Sequence, residues 1–358
     1  MAKKKYYHDT FYNYKNNMKK TWKTINDTLG KRKNNCKLPI YVLDNDKKIS
    51  NPQNIANTLN NYFANIGTNL PSSSNHGNET YKQYLQTPSP CSCIFSKITE
   101  NEVLKIIDEM ENKSSAGYDC ISNKMLKYIR NEISEPLTLI INQMIESGVF
   151  PSGLKTSKII PLHKKGDINE KNNYRPISLL PTMSKIFERI IYKQLYAYFD
   201  NNNIMSEQHY GFRTKHSTEL AAVKLVDYIK HEIDEQHTPV NIYIDLSKAF
   251  DTLNYDILLH KLHYYGVTGI SYDLIRSYLT DRKQYVKFNA FESEHIDVKS
   301  GVPQGSILGP LLFSIYILMI LSLSAINVTF SCMQMILQFI SAWKIFLKLT
   351  WKVISQMN

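Results

Sequence analysis

Asn241-Ile242-Tyr243-Ile244-Asp245-Leu246-Ser247-Lys248-Ala249-Phe250-Asp251 places an acid at the end of an apolar run. The run starts at Pro239 and is β-branched and aromatic, which predicts a strand over 239–245. A carboxylate closing a buried strand is costly unless it is paired or holds a metal. Asp251, six residues on and just after an aromatic, is a second acid. Hard Mg²⁺ ions are held by one or two carboxylates together with substrate phosphates. Paired cations about 4 Å apart can activate a hydroxyl and stabilise a leaving oxygen in phosphoryl transfer. The plainer reading of Asp245 is a helix N-cap, and this stretch alone leaves both open.

Outward from this stretch the periodicity is mixed. Residues 182–200, 217–235 and 255–280 read as helices, and Lys158–Leu162 as a short strand before the turn Lys164-Lys165-Gly166-Asp167. Gln284–Phe288 and His295–Val298 predict a hairpin, and 136–147 a helix. Thr99 with Glu102 forms a capping-box pattern ahead of Val103, Ile106, Ile107 and Met110. Interspersed helices and strands give an α+β class. Residues 70–90 are rich in Ser, Asn and Pro, so 71–97 is expected to be a linker. Upstream, Leu59, Tyr62, Phe63 and Ile66 recur at helical spacing, and 1–70 is expected to be a mostly helical extension.

Two further segments stand out. Ser300-Gly301-Val302-Pro303-Gln304-Gly305-Ser306 puts a long amide between a rigid and a permissive residue, so that backbone can approach a ligand while the amide binds it. Arg175 in Tyr174-Arg175-Pro176-Ile177-Ser178 and Arg213 in Gly211-Phe212-Arg213 sit in turn-rich contexts. The guanidinium suits phosphate, although a structural ion pair would use the same residue.

The 358 residues carry 43 Lys+Arg against 32 Asp+Glu, a net charge of +11 that favours a polyanionic partner. Lysines from Lys3 to Lys33 alternate with Tyr6, Tyr7, Phe11, Tyr12, Tyr14 and Trp22. Cations among aromatic rings suit single-stranded nucleic acid, and a helix packing its rings on the domain would look the same. The five cysteines show no CxxC spacing, which excludes a zinc knuckle or a disulfide framework. The N-terminus has no apolar signal region.

Taken together, YRPISLL, GFR, IYIDLSKAFD and SGVPQGSILGPLLF occur in an order that resembles the reverse transcriptase of non-LTR retrotransposons, the jockey-like LINE-type elements. The resemblance covers about 98–317, and the stretch ISNPQNIANTLNNYFANIG is similar to the segment before the polymerase. It implies right-hand polymerase fingers and a partial palm over 98–317, acting on an RNA template, a DNA primer and deoxynucleoside triphosphates with Mg²⁺ or Mn²⁺. It implies that Asp245 is the catalytic, metal-binding carboxylate and that Leu246 offers its backbone carbonyl. Phe250 would lie under the sugar, Gln304, between Pro303 and Gly305, would contact the incoming nucleotide, and Arg175 and Arg213 would lie near template and triphosphate. Asp251 would be structural. Nuclear or cytoplasmic action is implied. An endonuclease upstream and a thumb downstream would be missing.

The pattern breaks after Gly305, where the chain has no Asp or Glu. The family's second acidic strand, Tyr-Ala-Asp-Asp, is replaced by Cys332-Met333-Gln334-Met335-Ile336. Starting each codon one base earlier turns Met333/Gln334 into Ala and Met335/Ile336 into Asp, whatever the codon choice. Cys332/Met333 becomes Tyr or His, and Gln334/Met335 Asn or Asp. The same shift gives an Asp across Leu318-Met319-Ile320. Residues 318–358 are therefore read as an out-of-frame apolar tail, expected to be helical or poorly packed. The stretch from Ser300 to Trp343 has no charged residue, but the recoverable motif argues against a membrane anchor. Restoring the frame is expected to put an acidic strand beside Asp245. As given, the chain is expected to be an inactive polymerase fragment or a non-catalytic nucleic-acid-binding remnant.

Overall fold

The computed structural model describes residues 2–14, 17–29, 39–68, 82, 85, 88–207, 209–246, 248–322, 328–337 and 340–351. The chain opens with α1 (Ala2–Tyr14) and α2 (Met18–Thr28), followed by the antiparallel ribbon β1 (Val42–Asp44) and β2 (Lys47–Ile49) and by α3 (Pro52–Ala64). The Asn51 side-chain oxygen caps α3 by accepting from the N–H groups of Gln53 and Asn54, at 2.9 and 3.2 Å. Most of 71–87, the first part of the expected linker, lies outside the described residues.

Next come α4 (Glu100–Glu109), α5 (Asn123–Tyr128), α6 (Arg130–Ser147), β3 (Thr156–His163), β4 (Tyr174–Leu179), α7 (Thr182–Asn201) and α8 (Thr218–Asp234). The expected capping box is present, with the Thr99 N–H donating to the Glu102 carboxylate at 2.8 Å. Then follow β5 (Thr238–Asp245), α9 (Tyr255–Tyr264), α10 (Gly269–Leu279), β6 (Arg282–Phe288), β7 (Phe291–Glu292), β8 (Ile296–Val298) and α11 (Gly309–Ser322). The expected helix over 255–280 is thus two helices. They break at Gly266, whose φ is +91° and where a Cβ would come within 2.1 Å of the Cys91 carbonyl oxygen.

The larger core lies between helices. Ile186, Phe187, Ile190, Ile191, Leu195 and Phe199 form the buried stripe of α7 at three- and four-residue spacing. Phe150 sets its ring edge-on to Phe187 and Tyr278, with centroids 6.1 and 5.1 Å away. The principal sheet runs β4-β3-β6-β7, with β8 also on β6; β3 and β6 are parallel. A second core joins this sheet to the upstream segment: Ile55, Leu59 and Phe63 of α3 pack with Ile159, Val286 and Phe288. Asn60 of α3 is fully buried and exchanges hydrogen bonds there, donating to the Glu294 carbonyl at 2.7 Å and accepting from Gln284 at 3.1 Å. The segment upstream of the linker therefore shares a core with the sheet.

Residues beyond 322 correct one expectation. They form β9 (Val328–Leu337) and β10 (Ile340–Trp351), an antiparallel hairpin, which removes the helical alternative of the expectation that this tail is helical or poorly packed. Lys344–Trp351 of β10 pair with the whole of β5, giving the order β5-β10-β9. The cause is local. β5 presents a ladder of N–H and C=O groups that needs a partner, and a β-branched, aromatic stretch can supply one whatever its origin. In this chain the neighbour of β5 is β10, and β9, which carries the recoverable acidic codons, is one strand further out. Among the described residues, no helix is long and apolar enough to cross a membrane.

Candidate active site

The Pro303-Gln304-Gly305 turn lies between β8 and α11 and is tied on two sides. The N–H groups of Gly301 and Val302 donate to the carbonyls of Leu253 and Phe250, at 2.8 and 2.7 Å. On the other side, the Ser178 N–H of β4 donates to the Gln304 carbonyl at 2.8 Å. Two glycines are required by this approach. Gly301 has φ +79° and Gly305 has φ +128°, and a Cβ at either would stand 2.7 Å from a backbone oxygen, of Phe250 or of Ser178. The sequence segments around Phe250, Ser178 and Gln304 thus meet at one place.

There the Gln304 amide donates to both carboxylate oxygens of Asp251, at 2.9 and 2.8 Å. Burial pushes the Asp251 carboxyl up to about 6, against the Gln304 hydrogen bond and the Lys248 charge. Lys248 donates to the Tyr62 hydroxyl of α3 and lies 4.7 Å above its ring centroid. Asp251, Gln304, Pro303, Ser178, Arg282 and Phe63 share the wall of one open cleft.

Of the other expected site residues, Arg175 lies on β4, Asp245 at the end of β5, Leu246 and Phe250 in the segment after it, and Arg213 between α7 and α8. Asp245 is the last residue of β5, opposite Lys344 of β10, which in turn stands opposite Met333 of β9. Leu246 is half-buried against the larger core. Phe250 is buried, its ring 6.2 Å from Phe212 and 5.3 Å from Phe313, on the core side of the loop. Arg175 is half-buried on β4 opposite Leu162, and burial lowers its pKa. Arg213 donates to the Ser206 carbonyl at 2.8 Å and pairs with Asp200 at 3.6 Å, which is the structural use of the residue. The structure brings Asp251, Pro303, Gln304 and Gly305 together and sets Arg213 apart at the end of α7.

Two charged residues were missed from the sequence. Glu188 and Arg282 are 0% and 2% exposed beneath the turn. The signal for Glu188 was present: it interrupts the apolar stripe of α7 between Phe187 and Ile190.

The profile of the family described as reverse transcriptase (RNA-dependent DNA polymerase) matches residues 162–341, about half of the chain and all of the loops just described. The chain belongs to the reverse transcriptase family. This reverse transcriptase chain is 30% identical over 236 residues to the RNA-directed DNA polymerase from mobile element jockey of Drosophila melanogaster, covering 66% of the chain and 26% of that relative. It is 34% identical over 239 residues to the probable RNA-directed DNA polymerase from transposon BS of the same organism, covering 65% and 26%. The match to that of transposon X-element is 33% over 216 residues, covering 60% and 24%. The reverse transcriptase chain therefore spans about a quarter of the length of these curated relatives.

The family's divalent cations require oxygen donors, and the donor set of this chain does not fit a cation pair. No Asp or Glu follows Gly305, and the register positions beside Asp245 are Lys344 and Met333. The Asp251 carboxylate is already engaged by Gln304. Among the described residues, no group of three or more His, Cys, Asp or Glu forms a metal site.

Proposed function

We propose that this chain is the fingers and partial palm of the reverse transcriptase of a jockey-like non-LTR retrotransposon, with 98–317 as the polymerase part. It binds an RNA template and DNA primer and, as it stands, does not polymerise. The observation that carries the reading is the convergence of Gln304, Asp251 and the loop after β5 on one cleft, with β5 ending in Asp245. The lack of any acid on β9 and β10 supports inactivity, because a single carboxylate cannot hold two cations and a triphosphate a few ångströms apart.

Primer extension on the full chain tests the proposal, with no product expected; product that Asp245→Ala abolishes would overturn the inactivity. The nucleotide sequence of codons 315–340 tests the frame. A non-catalytic nucleic-acid-binding remnant is the second reading, favoured by α1 and α2, where Tyr6, Tyr12 and Trp22 are 65%, 64% and 56% exposed among lysines.

A further inference from the structure

We propose that Glu188 is the positioning residue of the Pro303-Gln304-Gly305 turn, holding it from below through the N–H groups that precede α11. One carboxylate oxygen accepts from the Ile307 N–H at 2.6 Å and the Leu308 N–H at 3.3 Å, and the other accepts from the Ser184 hydroxyl at 3.1 Å. The N–H groups at a helix start have no partner within the helix, so an outside acceptor is what this segment lacks.

From there the hold passes to the turn through Ser306. Its hydroxyl accepts from the Gly309 N–H at 3.0 Å and donates to the Pro303 carbonyl at 2.9 Å. Gln304 follows, with its amide on Asp251. A helix more than a hundred residues upstream thereby fixes where that amide sits.

Burial pushes the Glu188 carboxyl up, against the Arg282 charge and the hydrogen bonds from Ile307, Leu308 and Ser184. Arg282 acts on Glu188 electrostatically, donates to the Tyr278 carbonyl at 3.1 Å and lies 4.9 Å above the Tyr278 ring. Arg282 also lines the cleft, so the counter-charge of the clamp is part of the wall beside Gln304. An amide replaces the carboxylate only in part. Glu188→Gln keeps a neutral acceptor in place of a carboxylate oxygen, sets a donor against the Ser184 hydroxyl, and removes the group that can carry a charge opposite Arg282.

The nucleotide-contacting meaning of Gln304 rests on the reverse transcriptase reading, whereas the clamp does not, and the test needs no polymerase activity. Hydrogen–deuterium exchange is measured on the full chain and on Glu188→Gln. Exchange at 300–309 is expected to rise at least about ten-fold, from loss of a charge-assisted acceptor, with α4 and α6 unchanged. The Gln304 side-chain amide signals, read by NMR, should move to solvent-exposed positions while those of Gln284, paired with Asn60, stay. A uniform rise across the chain, or no rise, overturns the proposal. If Glu188→Gln does not fold, Ser306→Ala cuts the same path without a buried charge mismatch: local loosening of 300–309 supports the clamp, and unchanged exchange there overturns it.

Discussion

The Pro-Gln-Gly loop and the β5-β10-β9 sheet are held by different means. The loop is fixed by contacts that only particular residues can make: Gly301 and Gly305 where a Cβ has no room, Gln304 on Asp251, Glu188 on the N–H groups of Ile307 and Leu308. The sheet is fixed by a ladder of backbone pairs from Thr238–Trp351 to Asp245–Lys344. Every non-proline residue carries the groups such a ladder needs. Pairing is therefore permissive, and a strand beside Asp245 is no sign of a site there. Specific side-chain-to-backbone bonds across long sequence separations are the better sign.

The comparison breaks most directly in an activity assay. Relative to a competent polymerase of the family, the expected loss is complete, because the sheet carries no acid besides Asp245 while the loop is intact; extension above background that depends on Asp245 would show the sheet to be a working half-site. Stability gives the next largest contrast. Gly305→Val or Gly301→Ala should cost about 2–4 kcal/mol in denaturant unfolding, from a positive φ and a clash with backbone oxygen. Thr329→Val in β9 should stay within about 0.5 kcal/mol, since the ladder does not depend on that side chain. Equal costs in the two regions would remove the distinction.

Proton linkage sharpens the loop side. The Asp251 carboxyl, near 6 in the fold, lies above its unfolded value of about 4, so the folded state binds more protons between those values. Stability should fall as pH rises from 4 to 6 and level off above, by about 1–3 kcal/mol in all. Asp251→Asn, which keeps an acceptor for Gln304, should flatten that slope in unfolding midpoints at pH 4.5 and 7.5. The smallest effect concerns the N-terminal helices. Trp22→Ala and Tyr12→Ala should each weaken single-stranded RNA binding by about 1 kcal/mol in filter binding, with affinity falling steeply with salt. Affinity that ignores salt would argue for rings that merely pack.

Local chemistry made much of the fold legible. The Thr99–Glu102 box, the strand ending at Asp245 and the helix over 182–200 follow from caps and periodicity, and they are present within a residue or two. Pro303, Gln304 and Gly305 were legible as a turn because their residue types restrict the backbone. What was not legible depends on partners distant in sequence. Phe250 faces the core because Phe212 and Phe313 close around it, and Arg213 is engaged because the end of α7 brings Asp200 to it. The role of α3 emerges only when its Asn60 meets Gln284 on a strand more than two hundred residues away. The hairpin of the tail was not legible because strand pairing asks so little of a sequence.

The order β5-β10-β9 also acts as a ruler. Strands in a sheet stand about 4.8 Å apart, so β9 lies roughly 10 Å from β5 with β10 as a spacer. Met335 and Ile336, whose codons would yield the restored Asp, pair with Ala342 and Ser341, and Asp245 pairs with Lys344 farther down the ladder. A carboxylate restored at that point in this arrangement could not share cations about 4 Å apart with Asp245. Repairing one nucleotide near 318 would rewrite β9 and β10 together, so the spacing measured by this ruler belongs to the present chain alone.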